Sequence, residues 1–369
     1  MSWFKVPKST SAFNFKPDPP APPPEPAYQP RAKRHPPTQL PALYDAEKGP
    51  KVEPAPPGAM YWSRARSLGH DRLPVRAHAM CTVGSNIYVF GGCDSKACFN
   101  ELAVLDADCM YWTTPPCQGT IPLPLRAMTM NTVGKKIVIF GGGDGPSYFN
   151  DVYVLDTVNL RYKKPKINGP QPSKRRAHTA CVYKGGLYVF GGGDGVRALN
   201  DVWRLDLTDL NRATWKLISA GSSSRYHTAN MVGSKLIVYG GSDGVDCFRD
   251  VWIFDVETLV WKSVNIEVSF PRLSHTATVV GSYLFVFGGH DGVEYSNDLL
   301  LLNLVTMQWD KRKVYGAAPS PRGYHAAVLY DSRLFVVGGY DGRVFDDTFL
   351  LDLGISAYYS QISNFTIDV

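Results

Sequence analysis

At 369 residues, 44% hydrophobic and 20% charged, the chain has room for two domains or one large β architecture and enough apolar residues to bury a core. No stretch approaches the roughly 18 apolar residues of a membrane span, residues 1–15 lack the apolar run of a signal peptide, and a net charge of +6 is too dilute for a dedicated nucleic-acid binder. The seven cysteines are odd in number and form no CxxC pairs, so reduced thiols and a cytoplasmic protein are expected, without a disulfide framework or a zinc site.

Residues 1–58 form the first expected segment. Sixteen of the 28 prolines fall in its first 57 positions, with "PDPPAPPPEPAYQP" at 17–30, and neither helical nor strand periodicity appears. Dense proline removes backbone donors and fixes φ, so this stretch is expected to be disordered and polyproline-like. It is either a solvated spacer or a ligand for an SH3 or WW groove. The basic run "RAKRH" at 31–35 reads as a solvated cluster or a weak nuclear import signal.

From residue 59 to 369 one phrase recurs. Its glycine pairs are Gly91-Gly92, Gly141-Gly142, Gly191-Gly192, Gly240-Gly241, Gly288-Gly289 and Gly338-Gly339, at steps of 48 to 50 residues. Thirteen residues before each pair stands His78, Met128, His178, His227, His275 or His325. After each pair comes an asparagine-acid pair or its relic, and then an aromatic: Trp112, Tyr162, Trp215, Trp261, Trp309 or Tyr358. The period and the turn chemistry predict four short strands per unit, exemplified by "HTACVY", "GLYVFGG", "DVWRLD" and "ATWKLI". The expected blades span about 76–115, 125–166, 175–218, 224–266, 272–313 and 322–363. Six such sheets must cover one another's faces, and a closed ring does so with only short edges exposed. The glycines are assigned to crowded turns, the aromatics to wedges between sheets.

The double glycine after a hydrophobic strand, the asparagine-acid pair and the fourth-strand aromatic resemble the kelch-repeat family over residues 60–363. The resemblance implies an all-β fold, a six-bladed kelch β-propeller preceded by the proline-rich segment. The layout is similar to the short Rab-effector kelch proteins and, more distantly, to fungal kelch polarity proteins. It implies a protein partner, such as a component of a small GTPase pathway, and the basic residues of the connection at 161–176 suit an acidic partner segment. Kelch copper oxidases resembling galactose oxidase and specifier proteins of the kelch type are enzymes, but their cofactor and iron-binding residues have no counterpart here.

"GGGDG" does not read as a phosphate loop, because a polar loop and a strand follow rather than a helix. The histidine-register positions are related by the repeat, which favours a structural role over a metal ring. No catalytic residue, metal ligand or cofactor is therefore expected, and the chain reads as a non-enzymatic interaction scaffold or adaptor; a propeller enzyme or metal-binding protein acting on a small molecule is the alternative.

If strands alternate in direction, the loops joining second and third strands share a face with the connections between blades. On that face Lys96, Tyr148, Arg197, Asp246, Tyr295 and Arg343 occupy comparable places, and Arg76, Arg126, Arg176, Arg225, Arg272 and Arg322 sit near the first strands. These are the expected partner-binding residues. For the arginines, bridging to carbonyls or to the acidic pairs is an equal alternative. The connection "RYKKPKINGPQPSKRR" adds Lys163, Lys164, Lys166, Lys174 and Arg175. Finally, "MYWSRARSLG" at 60–69 matches "MYWTTPPCQG" at 110–119, so residues 60–66 are expected to pair with blade 6 as its outermost strand. "SAYYSQIS" at 356–363 competes for that place.

Overall fold

Six small antiparallel sheets follow one another along the chain. The computed structural model describes residues 59–70, 73–220, 227–310, 312–354 and 367; the proline-rich segment, Arg225, Tyr358 and the candidate strand 356–363 lie outside them. Blade 3 shows the plan: Thr179–Tyr183, Gly186–Phe190, Asp201–Asp206 and Trp215–Ala220 pair in chain order. Its second strand, Gly-Leu-Tyr-Val-Phe, is buried at all five positions because neighbouring blades cover both of its faces. The first strands are only half-buried. Each contacts the first strands of the blades on either side, and contact between Ala326–Tyr330 and Ala79–Val83 completes the ring. The protein is thus an all-β six-bladed propeller.

Blade 6 is assembled from both ends of this unit. Ala326–Tyr330, Arg333–Val337 and Thr348–Asp352 supply three strands, and Tyr61–Arg64 supplies the fourth, antiparallel to Thr348–Asp352 with Trp62 opposite Leu351. Tyr315–Gly316, leaving blade 5, then pairs in parallel outside Tyr61–Arg64. The same strap recurs where Leu68–Gly69 lies beside Tyr111–Thr113 and Gln118–Gly119 beside Arg161–Lys163. Each strap caps an outer edge that would otherwise offer unpaired backbone groups.

The repeated aromatics pack between blades. Tyr162, Trp215, Trp261 and Trp309 lie with ring centroids 6.1, 4.8, 5.1 and 5.3 Å from Phe90, Phe140, Phe190 and Tyr239 of the preceding blade. Trp112 is 1% exposed and shares a cluster with Phe335 and Val337 of blade 6. The sixth wedge is Trp62, 3% exposed and 4.9 Å from Phe287. The strand Tyr61–Arg64 thus brings a tryptophan to this place, while Tyr358, the aromatic expected for the sixth unit, lies outside the described residues.

The glycine pair serves two different neighbours. A Cβ on Gly141 would lie 2.7 Å from His178 Cε1 and 2.9 Å from the Arg175 carbonyl, both in the next blade. One on Gly192 would lie 2.7 Å from the Arg176 carbonyl and 2.8 Å from His178 Cβ, within its own blade. Both glycines also have positive φ, 65° and 88°. The second glycine's N–H crosses the blade junction, as from Gly142 to Arg175 O (2.9 Å) and from Gly339 to Val75 O (2.9 Å), the latter joining blade 6 to blade 1.

Candidate binding face

The face is organised by a ring of backbone at the mouth of the channel. Ala77 N–H donates to Tyr324 O (2.7 Å), Ala127 to Ala77 O (2.7 Å), Ala177 to Ala127 O (2.8 Å) and Tyr324 to Ser274 O (2.9 Å), stitching successive blades together. These residues adopt φ between 53° and 57° without being glycine, a cost the surrounding bonds must hold in place. Beside them, the residue after five of the glycine pairs forms a bridge to the first-strand entrance, as in Arg76 with Cys93, Arg126 with Gly143 and Arg176 with Gly193.

Just below this ring lie the repeat histidines. His178, His227, His275 and His325 place Nε2 2.9 to 3.2 Å from the hydroxyl of Thr129, Thr179, Thr228 and Thr276 in the preceding blade. Burial foremost, and the charges of Arg175, Arg272 and Arg322, lower His178, His275 and His325 to about 3, so they are neutral pins between blades. Where the preceding blade carries Ala79 in place of threonine, Met128 replaces the histidine. Among the described residues no three side chains of the metal-ligating kinds converge on one point.

The arginines divide into two sets, one position apart relative to the histidine. Arg76, Arg126 and Arg176 stand two residues before it, are partly exposed and lie on the loop face. Arg175, Arg272 and Arg322 stand three before it and are buried. Arg175 grips Asp201 with two bonds of 2.7 and 2.8 Å and also donates to Gly191 O, Ser173 O and Ser173 Oγ. Arg322 repeats the set on Asp347, Gly338 and Ser320, and Arg272 bonds Asp298 at 2.7 Å. Arg272 and Arg322 are therefore corrected from partner-binding to framework residues, as is Arg175: each guanidinium is buried and bonded to a carboxylate of its own blade. The acidic pair is their counter-charge. The asparagine of the pair has a separate duty, with Asn100, Asn150 and Asn297 donating to the carbonyls of Pro122, Pro172 and Pro319 in the next connection.

The loop residues also fall into two levels. Tyr148 and Tyr295 occupy hairpin bases, bridged to Gly143 and His290, whereas Lys96, Arg197, Asp246 and Arg343 are exposed at the tips. The aspartate of each Asp-Gly or equivalent turn shapes the tip: Asp194 Oδ1 accepts from the N–H groups of Val196 and Arg197 (2.9 Å each), and Asp291 Oδ1 from Val293 and Glu294. Val196 and Val293 are thereby left about nine-tenths exposed.

Around the mouth, aromatics and arginines stack. The Arg76 guanidinium lies 4.5 Å from the Tyr340 ring centroid and Arg176 4.7 Å from Tyr148. Tyr295 meets Tyr340 and His290 edge-on at 6.0 and 4.8 Å. Burial raises the Tyr295 phenol to about 12, so it is a neutral hydrogen-bonding group. Tyr340 and His290 were not among the expected residues; their signal was the variable position directly after each glycine pair, which reads Cys, Gly, Gly, Ser, His and Tyr round the ring. In the blade 2 to 3 connection, Lys164 is held by Asp151 at 2.9 Å, while Lys163, Lys166 and Lys174 are exposed.

No curated protein matches the chain. The KLHDC2/KLHL20/DRC7 Kelch-repeats domain matches residues 57–225 and 208–365, nearly the whole of the ring. With six sheets closed on inter-blade glycines, aromatics and histidine pins, the chain belongs to the kelch-repeat family.

Proposed function

We propose that the protein is a non-enzymatic interaction scaffold that binds a protein partner through the loop face of the propeller. The observation that carries this reading is the division of labour among its arginines. Arg175, Arg272 and Arg322 are bound to the acidic pairs of the framework, whereas Arg76 and Arg176 stack on Tyr340 and Tyr148 on the loop face, where Tyr295 meets Tyr340. Arginine and tyrosine combine large contact area with directional donors, the composition of interface anchors. Lys96, Arg197 and Arg343 add positive charge over blades 1, 3 and 6, which suits an acidic segment, such as one on a component of a small GTPase pathway.

The test is capture of partners by the full chain and by a triple variant, Lys96→Glu, Arg197→Glu and Arg343→Glu, with Lys184→Glu on the opposite face as control. Loss of a captured protein with the triple variant alone, at unchanged melting temperature, supports the reading. Equal capture by all three proteins overturns it.

A further inference from the structure

The six hairpins on the loop face are alike in backbone and different in what their bases carry. In blade 1 the base is a directly opposed pair of cysteines, Cys93 and Cys98. The equivalent pairs in blades 2 to 6 are Gly143 with Tyr148, Gly193 with Ala198, Ser242 with Cys247, His290 with Tyr295, and Tyr340 with Val344.

The backbone bonds fix how the two thiols face one another. Phe99 N–H donates to Gly92 O (2.8 Å) on one side and Asp94 N–H to Ala97 O (3.1 Å) on the other. Asp94 Oδ1 holds the tip by accepting from Lys96 and Ala97 N–H at 2.6 and 2.8 Å. Cys93 and Cys98 thus form the non-hydrogen-bonded pair between two bonded ones, the antiparallel site where Cα atoms approach to about 4.5 Å and both side chains leave the same face. That spacing lies within the roughly 4.4–6.8 Å that a disulfide spans.

The charges on either side differ. Cys93 is backbone-paired to Arg76 through bonds of 2.9 and 3.0 Å. The hydrogen bond from the Cys98 thiol, with the charges of Arg76 and Arg126 and a bond from Arg126, holds the Cys93 thiol below the ordinary thiol range despite its burial. Cys98 is pushed the other way, by Cys93, by burial and by a hydrogen bond to Asp144 of blade 2. One thiol is poised to ionise and its neighbour to keep its proton, as in a nucleophile and its resolving partner. Cys93 is 4% exposed and Cys98 half-buried.

We propose that Cys93 and Cys98 are a reversible disulfide site on the loop face, oxidised by hydrogen peroxide. The Cys93 thiolate attacks one peroxide oxygen; the O–O bond breaks, and the leaving hydroxide takes a proton to become water. Cys93 is then a sulfenic acid. Cys98 gives up its proton as its sulfur attacks the Cys93 sulfur, and the sulfenic oxygen leaves as a second water. Two thiols and one peroxide become one disulfide and two waters, and a dithiol reductant reverses the change.

The experiment treats the reduced full chain with stoichiometric hydrogen peroxide, alkylates remaining thiols in denaturant and maps every cysteine by mass spectrometry. The expected result is a Cys93–Cys98 linkage lighter by two hydrogens, restored by dithiothreitol, while the exposed Cys109 is alkylated. Cys98→Ser should leave a Cys93 sulfenic acid trapped by a 1,3-dione, Cys93→Ser should leave Cys98 alkylated, and Arg126→Gln should slow linkage several-fold at pH 7. Cys93 and Cys98 alkylated to the same extent as Cys109, or linked to other cysteines, would overturn the proposal. So would an unchanged linkage rate in Arg126→Gln that melts like the wild type.

Discussion

Replacing Trp62 by alanine tests whether the strand from the start of the propeller holds the ring shut. Trp62 is 3% exposed, packs 4.9 Å from Phe287 and stands opposite Leu351 in the ladder between the third and fourth strands of blade 6. Truncating a buried tryptophan to alanine costs about 3–5 kcal/mol through lost transfer energy and the cavity left behind. A domain of roughly 300 residues unfolds with an entropy near 0.6 kcal/mol per kelvin, so the melting temperature should fall by about 6 °C. Trp112→Ala, in the matching wedge of blade 1, should fall by a similar amount. Differential scanning calorimetry at matched scan rates measures both. A paired truncation separates packing from pairing. Removing residues 1–58 should leave the melt unchanged, whereas removing 1–69 strips the outer strand from Thr348–Asp352, bares its edge and should add aggregation to a larger loss. If Trp62→Ala melts within about 1 °C of wild type while Trp112→Ala does not, or if the two truncations melt alike, the closure argument fails.

Three other outcomes follow from the geometry. Gly192→Val or Gly289→Val should cost about 2 kcal/mol or more, because a Cβ at either position meets a carbonyl at 2.7 or 2.8 Å at φ near 90°; chemical denaturation reads the loss. Arg322→Met should cost about 2 kcal/mol or more by leaving the half-buried Asp347 without its partner, whereas Arg343→Ala at an exposed tip should stay within about 0.5 kcal/mol, a contrast that equal melts would contradict. His178, His275 and His325 have folded values of about 3 against an ordinary 6.5, so the unfolded chain binds more protons between those limits. Their contribution is complete above pH 6.5 and is lost as pH falls toward 3, so denaturation midpoints should drop between pH 7 and 5, less steeply in His178→Gln; a flat profile would refute the neutral-pin assignment.

The family was legible because its signals are local and repeated. A glycine pair that must tolerate positive φ, an aspartate that caps the next turn and an aromatic at a fixed distance each constrain a few adjacent residues, and six copies in register made the period plain. The buried arginines were hidden for the opposite reason. Arg175 and Arg176 are neighbours in sequence with equal charge, yet one reaches inward to Asp201 and the other outward over Tyr148, and only the direction of each side chain at the blade entrance separates them. A signal existed in the Ser-x-Arg spacing shared by Ser173-Arg175 and Ser320-Arg322, since the serine supplies two of the acceptors.

Pairing across the ring depended on tertiary structure altogether. The threonines that answer His178, His227, His275 and His325 lie 47 to 49 residues earlier in another blade, and the cysteines of blade 1 come under opposite charges because Arg126 and Asp144 arrive from blade 2. Strand propensity, turn chemistry and repeat period follow from short-range sterics and are written in the sequence itself. Which blade supplies a partner, and which end of the chain fills the last wedge, is decided only when the ring closes, because those contacts join residues whose separation along the chain carries no local signature.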